Sequence, residues 1–272
     1  MSGDYVWFNG RIVPAAEAAL SVQDRGFLLG EGVFETIRLR AGIPLRLDAH
    51  LARLKGGCDA IGIDAPQPDW YGAIDALQAA SPALAAEGVL RITVSGGAGG
   101  RGLVPGDPAL PTCLIAISPV PDRAQGVRLC ISKNVQRHAA ALSSRWKTLS
   151  YIDQIAARRE AKSRGLDDAL LLNTAGDLCC ASAANAFILA EGRWCTPAVS
   201  DAALPGTARG CLINELRIEP GPVSPSVLGW AEAIVLTNAL GAVGVSQVPQ
   251  NPHLARASAR AAQDFNEILG LS

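Results

Sequence analysis

Apolar and polar residues alternate at the start of the chain, first in YVWFNGRIV and then in GVFETIRLRAGIPLRL. This alternation predicts half-buried strands, and the Asn-Gly and Ala-Gly pairs inside the two stretches predict tight turns. We therefore expect the chain to open with two strand–turn–strand units, the second turning at Ala41 and Gly42.

The spacing of apolar residues then changes from every second residue to a helical period. Leu51 and Leu54 in DAHLARLKGGCDAIGI predict a helix with Asp48 as its N-cap, and WYGAIDALQAA predicts a second helix. VLRITVSGG and PTCLIAISPVPDR predict two strands, the latter running into a proline-containing connector.

The second half repeats this mixture of strands and helices. GVRLCISKNV predicts a strand, and YIDQIAARREAKSRG predicts a helix that ends at Gly165. A meander with turns at 173–176 and 191–192 follows, and ARASARAAQDFNEIL predicts a C-terminal surface helix. These elements indicate an α/β (mixed α+β) protein with a smaller N-terminal domain over 1–118, a connector over 119–124 and a larger C-terminal domain over 125–272.

Composition and charge restrict the partners. The 272 residues carry a net charge of −1 without a run of like charges, so neither nucleic acid nor a membrane is an expected partner. No apolar stretch is long enough to span a bilayer and the start lacks a signal-peptide pattern, so we expect a cytoplasmic protein with a small-molecule partner. Seven scattered cysteines and three histidines predict neither disulfides nor a metal site.

Lysine is rare, which makes each one easy to judge. Lys55 and Lys162 belong to polar helix faces and Lys133 to a strand end, where solvated cations are the ordinary interpretation. Lys147 lies between a tryptophan and an apolar helix start, a setting that can desolvate an amine and lower its pKa. From position alone, Lys147 is either a nucleophilic amine or a solvated one.

Three glycine-containing turns are candidate anion sites. SGGAGGRG lacks the lysine and hydroxyl of a phosphate loop, so it is either a flexible loop or one that presents Arg101 to a substrate carboxylate. LPGTARG and LTNAL could bind a phosphate through backbone N–H groups, or could be ordinary turns.

Taken in order, six segments resemble one family: DRGFLLGEGVFETIR, HLARL, KTLSYIDQIAAR, DDALLLNTAGDL with AANAFIL, TPAVSDAALPGTARG, and VLTNALGAV. They are similar to the signature segments of the fold type IV, or class IV aminotransferase, group of pyridoxal-phosphate (PLP) enzymes. The resemblance implies a two-domain fold whose C-terminal domain contains a β-barrel-like sheet and the cofactor lysine.

The resemblance also implies how PLP is held. Lys147 matches the lysine that bonds the cofactor and moves the proton, Arg53 matches an arginine that binds its phosphate, and Tyr151 is similar to a tyrosine that reaches its phenolate oxygen. The remaining phosphate contacts match Gly206, Thr207, Ala208, Asn238 and Ala239.

The substrate pocket of the family corresponds to Leu29, Phe34, Thr36 and Arg101. Leu29 stands where many aminotransferases carry an aromatic residue. Cys180 stands where the family has a glutamate facing the pyridine nitrogen, and a thiol of ordinary pKa, about 8.5, is a weaker partner for that nitrogen. Cys180 therefore indicates either lost activity or a cofactor tuned toward elimination, and we favour tuning.

GGAGGRG and ASAANAF look most like the 4-amino-4-deoxychorismate lyase branch, which would give 4-aminobenzoate and pyruvate in the folate pathway. The alternatives are an aminotransferase for D-amino acids, branched-chain amino acids or other amines, and a catalytically weak paralogue that only binds the cofactor. The family also implies a homodimer.

Overall fold

The computed structural model of the chain describes residues 4–100, 102–105, 110–122 and 126–271. The chain forms two compact units. Unit 1 consists of Met1–Pro121 with Trp146–Ser150, and unit 2 consists of Asp122–Arg145 with Tyr151–Ser272. The chain therefore leaves unit 1, enters unit 2, and returns briefly to unit 1 before completing unit 2.

Unit 1 is built on a six-stranded antiparallel sheet in the order β2-β1-β6-β5-β3-β4. Its strands are β1 Tyr5–Phe8, β2 Arg11–Pro14, β3 Gly32–Arg40, β4 Ile43–Pro44, β5 Glu87–Ala98 and β6 Leu110–Ser118. Its helices are α1 Arg25–Leu29, α2 Leu47–Ala60, α3 Trp70–Ala80 and α4 Pro82–Ala85, with a 3₁₀ turn at Ala15–Glu17.

The alternation in β3 determines which face of this strand is buried. Val33, Ile37 and Leu39 are fully buried in one core with apolar residues of α2 and α3. The β3–β4 hairpin turns at Ala41 and Gly42, both with positive φ, as the sequence predicts. The start of α2 is different: the helix begins at Leu47 with Arg46 in the left-handed region before it, so the prediction of Asp48 as N-cap was wrong.

Unit 2 contains a seven-stranded sheet in the order β11-β10-β12-β13-β7-β8-β9. Its strands are β7 Val127–Arg137, β8 Asp168–Asn173, β9 Leu178–Ala181, β10 Asn185–Ala190, β11 Arg193–Cys195, β12 Ala233–Asn238 and β13 Gly241–Gln247. Its helices are α5 Leu142–Arg145, α6 Ile152–Ser163, α7 Thr207–Leu216 and α8 Ala255–Ile268, with 3₁₀ turns at Val199–Asp201 and Pro225–Gly229.

This sheet is a curled half-barrel, and the chain connections show why it must curl. β7 is parallel to β13 and β8, and α6 lies in the crossover between β7 and β8, as parallel pairing requires. β9 lies at one edge and β10 next to the other edge, yet only residues 182–184 join them. The two edges must therefore approach one another.

The segment Trp146–Ser150 belongs to unit 1, not to the C-terminal domain. The sequence-based expectation assigned the segment, and with it Lys147, to the C-terminal domain. Its backbone instead adds to β3 in unit 1: the Phe34 N–H donates to the Lys147 carbonyl at 2.9 Å, and the Leu149 N–H donates to the Gly32 carbonyl at 2.8 Å. These bonds form between residues more than a hundred positions apart, which local periodicity does not reveal.

Among the described residues, none of the helices combines the length and the apolar character that crossing a membrane requires.

Candidate functional site

In unit 1, the amine of Lys147 lies over an aromatic ring. Its Nζ atom is 4.2 Å from the centre of the Phe34 ring, an arrangement typical of a cation–π contact. Trp146 also holds the segment, because its ring packs on Gly56 of α2, 2.8 Å from where a Cβ on that glycine would lie. The lysine therefore projects from a backbone that is held by strand pairing and by aromatic packing.

Phe34 and Thr36 share the Lys147 face of β3, because residues two apart in a strand point the same way. Arg91 of β5 is the register partner of Thr36, and its guanidinium carbon lies 3.9 Å from the centre of the Phe34 ring. An amine and a guanidinium thus lie over one buried ring. Arg91 was not among the sequence-based candidates, although a single charge within the apolar run VLRITV was a visible signal.

Arg53 on α2 is held by a buried carboxylate on β3. Its Nε donates to Glu35 Oε1 at 2.7 Å and its Nη2 donates to Glu35 Oε2 at 2.6 Å. His50 Nδ1 lies 2.6 Å from Glu35 Oε2, and both Glu35 and His50 are fully buried. We name these three residues the Glu35 cluster. Glu35 and His50 were not among the sequence-based candidates, although a glutamate inside an apolar strand was a visible signal.

The Glu35 cluster stabilises the charged form of its carboxylate. Burial alone would raise the pKa of Glu35, but the hydrogen bonds from Arg53 and His50 and the charge of Arg53 bring that pKa below its usual value. Burial lowers the pKa of His50, and Glu35 opposes that shift only in part. A charged Glu35–Arg53 pair beside a neutral imidazole therefore gives this buried site a balanced charge.

In unit 2, the turn before α7 comes unusually close to a neighbouring strand. A Cβ on Gly206 would lie 2.2 Å from Asn185 Oδ1, so a larger residue at this position would displace the Asn185 side chain. Asn185 also donates through Nδ2 to the Leu204 carbonyl at 2.9 Å, which fixes the turn. Thr207 and Ala208 form the first turn of α7, so their backbone N–H groups lie at the positive end of the helix dipole.

The turn at Asn238 and Ala239 lies at the same end of the sheet. Asn185 of β10 pairs with Thr237 of β12, the residue directly before Asn238. The Thr237 hydroxyl is buried and has no hydrogen-bond partner among the described residues. Unit 2 therefore brings the two predicted phosphate-binding turns together at one end of its curled sheet, beside an unsatisfied hydroxyl.

The other candidates are less constrained. Tyr151 is half-buried at the start of α6, and Leu29 of α1 is exposed. Arg101 lies outside the described residues. The residues after it are anchored in unit 1, since Arg25 donates to the carbonyls of Gly102 and Leu103, each at 2.8 Å.

Cys180 lies in β9, buried beside Cys179 and facing the packed interior of unit 2. Ala157 and Ala161 of α6 contribute small side chains to the same cluster of buried residues. The seven cysteines of the chain are all free thiols in the structure.

Comparison with known proteins identifies the family. Residues 32–248 match the model of the amino-transferase class IV family, a family of PLP enzymes. The bifunctional aminodeoxychorismate lyase / D-amino acid transaminase of Mycobacterium tuberculosis is 30% identical over 185 residues, which cover 63% of this chain and 61% of that protein. The aminodeoxychorismate lyase of Bacillus subtilis is 27% identical over 248 residues, covering 86% of this chain and 83% of that protein.

The fold is confirmed by a solved structure. The branched-chain amino acid aminotransferase of Escherichia coli matches with a TM-score of 0.88 at 22% identity, over 99% of this chain and 96% of that one. The mixed α/β, fold type IV architecture expected from the sequence is therefore correct. Since the family model covers most of the chain, this protein belongs to the class IV aminotransferase family and is an enzyme.

Proposed function

We propose that this enzyme is a PLP-dependent 4-amino-4-deoxychorismate lyase, which releases 4-aminobenzoate and pyruvate. The observation that carries the proposal is the arrangement in unit 1, where the amine of Lys147 and the guanidinium of Arg91 both lie over the Phe34 ring. The Phe34 ring offers an apolar surface for a six-membered ring, the Lys147 amine can react next to the substrate's amino group, and the Arg91 guanidinium can bind a carboxylate. This combination suits a ring-containing substrate that carries an amino group and carboxylates.

The residues of each unit fit PLP. In unit 1, Lys147 offers an amine on a fixed backbone, and Arg53 offers a guanidinium whose direction is set by Glu35. In unit 2, the turn at Gly206 leaves no room for a side chain, and the buried Thr237 hydroxyl next to Asn238 has no partner in the described part of the chain. A phosphate bound at this end of the sheet would accept hydrogen bonds from backbone N–H groups of the turns and from the Thr237 hydroxyl.

Each of these residues then has a defined task. Bound PLP supplies an electron sink beside the substrate's amino group. We propose that Lys147 bonds PLP covalently and transfers the proton. We propose that Arg53 binds the phosphate of PLP, together with the residues Gly206, Thr207, Ala208, Asn238 and Ala239. We propose that Tyr151 contacts the phenolate oxygen of PLP and that Cys180 faces its ring nitrogen.

In the lyase reaction, the amine of Lys147 removes the ring proton next to the substrate's amino group. The C–O bond to the enolpyruvyl group then breaks, and the ring becomes aromatic, which drives the step forward. Both products carry a carboxylate, so the substrate needs two cationic partners. We assign these to Arg91 and Arg101, and the walls of the pocket to Leu29, Phe34 and Thr36.

An aminotransferase is the second candidate, because the solved Escherichia coli relative is a branched-chain aminotransferase and the Mycobacterium tuberculosis relative carries both activities in its name. Such an enzyme would use the same cofactor residues. Product analysis separates the two functions. Pyruvate and 4-aminobenzoate formed from aminodeoxychorismate without an added 2-oxo acid support the lyase, whereas amino-group exchange that requires a 2-oxo acid supports the aminotransferase.

We also propose that the enzyme is a homodimer. Three apolar side chains of unit 1 are largely exposed, Val22 by 80%, Phe27 by 74% and Leu28 by 57%. Neighbouring exposed apolar groups of this kind commonly mark an interface. Sedimentation of the PLP-loaded protein tests the assembly, and the variant Phe27→Ser should shift it toward the monomer. The cytoplasmic location stays a prediction.

A further inference from the structure

One buried arginine of unit 1 contacts the glycine-rich segment that follows β5. We call the described residues 96–100 and 102–105 the glycine loop. Arg25 of α1 is only 3% exposed, and its Nη1 and Nη2 donate to the carbonyls of Gly102 and Leu103, each at 2.8 Å. Its Nε pairs with the carboxylate of Glu31. All three nitrogens of the guanidinium therefore have partners, and two of them bind backbone of the glycine loop.

Arg25 and Glu31 also contact the beginning of the glycine loop. The Gly96 N–H donates to the Glu31 carbonyl at 3.0 Å. A Cβ on Gly96 would lie 3.2 Å from the Glu31 carboxylate, and a Cβ on Gly99 would lie 2.7 Å from Arg25 Cδ. A side chain at Gly99 would thus collide with an arginine whose far end is fixed by hydrogen bonds. These two glycines therefore make room for the Arg25–Glu31 pair.

The surroundings of Arg25 suit it to holding backbone and not to binding a substrate itself. The side chain is buried, Glu31 balances its charge, and carbonyl oxygens accept its remaining hydrogen bonds. A planar guanidinium holds two acceptors in a fixed geometry, whereas the ammonium group of a lysine is a point charge on a flexible stem. Arg25 therefore fixes the conformation of the glycine loop in a way that lysine could not reproduce.

We propose that Arg25 is a positioning residue for the substrate carboxylate and that it acts through the glycine loop. The inference rests on the proposed function, which gives Arg101, a residue outside the described part of the chain, the role of carboxylate partner. Gly102, whose carbonyl Arg25 binds, follows Arg101 directly in the sequence. A loop that is already held before the substrate arrives loses less conformational entropy on binding, which lowers KM.

The contact between Arg25 and the loop is tested in the full chain without substrate, by limited proteolysis with chymotrypsin. Leu103 is 86% exposed and is a suitable cleavage site. Arg25→Lys retains the charge and loses the paired geometry, so we expect cleavage after Leu103 to become about tenfold faster. Mass spectrometry identifies the cleaved bond. Equal rates in the wild type and in Arg25→Lys would overturn the proposal.

The matched control is Arg38→Lys. Arg38 also pairs with a carboxylate, that of Glu87, and donates to two carbonyls, those of Leu39 and Gly88. It lies near the end of β3, whereas Glu31 directly precedes the start of that strand. The same chemical change at Arg38 should therefore leave cleavage after Leu103 at the wild-type rate, and equal acceleration in both variants would contradict a specific role of Arg25.

A second pair of variants changes the loop and keeps Arg25. Gly99→Ala places a Cβ 2.7 Å from Arg25 Cδ, so the loop should move away from Arg25 and be cleaved faster. Gly100→Ala meets no atom within 4 Å and should keep the wild-type rate. Equal rates in these two variants would contradict the packing of the loop on Arg25, and circular dichroism verifies that each variant is folded.

The role toward the substrate is tested by the kinetics of the PLP-loaded enzyme with aminodeoxychorismate. We expect Arg25→Lys to raise KM about tenfold while kcat changes by less than about twofold, and Arg101→Ala to raise KM at least as much. In the Arg101→Ala background, Arg25→Lys should have no further effect on KM, because its effect passes through Arg101. Additive effects of the two changes would show that Arg25 does not act through Arg101 and would overturn the proposal.

Failure of the proposed function gives a different result. A wild type that exchanges amino groups and releases no pyruvate would overturn the lyase, and the same pair of variants is then compared by the KM of the amino acid donor. The cleavage rates depend on neither reaction. Faster cleavage in Arg25→Lys together with an unchanged KM would overturn the role of Arg25 in substrate binding.

Discussion

The carboxylate of Glu35 accepts both the Nε and the Nη2 hydrogen bonds of Arg53, at 2.7 and 2.6 Å, in the interior of unit 1. This paired geometry fixes the plane of the guanidinium as well as its position. The residue proposed to bind the cofactor phosphate is therefore oriented by a strand residue that was not itself among the sequence-based candidates.

The first prediction concerns Glu35→Gln, which removes the charge and retains the side-chain volume. Breaking a buried ion pair from one side costs about 3–5 kcal/mol, so we expect a lower urea midpoint and weaker PLP binding. The control Glu87→Gln breaks an exposed pair with Arg38 and should change neither measurement noticeably. An unaltered midpoint for Glu35→Gln would show that the pair is not stabilising.

Stability should also depend on pH through His50. In the unfolded chain a histidine takes up a proton near pH 6.5, whereas burial lowers the pKa of His50 in the folded chain. Below that pH the unfolded state binds more protons, so the free energy of unfolding should fall as pH falls from about 7 to about 5. The charges of Arg53 and Arg46 add to this downward shift, whereas Glu35 opposes it.

Urea unfolding of His50→Gln at several pH values measures this effect. We expect a flatter pH dependence over that interval, because the titrating group has been removed. Glu35, whose pKa is also lowered, should still make the protein less stable at more acidic pH. His253→Gln changes an exposed histidine and should keep the wild-type slope; identical slopes for both variants would exclude His50 as the source.

Lys147 should be the only lysine that borohydride links permanently to PLP. It alone among the four lysines lies over an aromatic ring on a segment held by strand pairing. Mass spectrometry of the digested protein should find the label in the peptide with Lys147 and none in Lys147→Arg. Label on Lys55, Lys133 or Lys162 would contradict the assignment.

Replacing Gly206 in the turn and Gly210 in α7 with alanine should have opposite effects. Gly206→Ala places a Cβ 2.2 Å from Asn185 Oδ1, so Asn185, whose Nδ2 donates to the Leu204 carbonyl, or the turn itself must shift, and PLP should bind more weakly. Gly210→Ala meets no atom within 4 Å and improves the helix by about 0.5–1 kcal/mol. Spectroscopic titration with PLP and thermal unfolding measure both effects, and equal PLP affinities would show that the Gly206 turn does not hold the phosphate.

Periodicity predicted the hairpins and the long helices because those patterns reflect burial within one segment. It could not predict the strand-like pairing of Val33 with Thr148, which joins distant parts of the chain. A β-bulge at Cys179 in β9 was equally hidden, since strict alternation would place its side chain and that of Cys180 on opposite faces. The family resemblance supplied Lys147 and Arg53, whereas the contacts of Glu35, His50 and Arg91 with these residues and with Phe34 depend on side-chain positions in three dimensions.

The brief return of Trp146–Ser150 to unit 1 has a consequence for protein synthesis. The ribosome must translate all of Asp122–Arg145, which belongs to unit 2, before the last segment of unit 1 exists. At about 5–20 residues per second, the nascent chain waits on the order of seconds with β3 lacking its partner at Val33. That strand edge is open to other chains during the delay, so this stage of synthesis is the one at which edge-to-edge aggregation through β3 is expected.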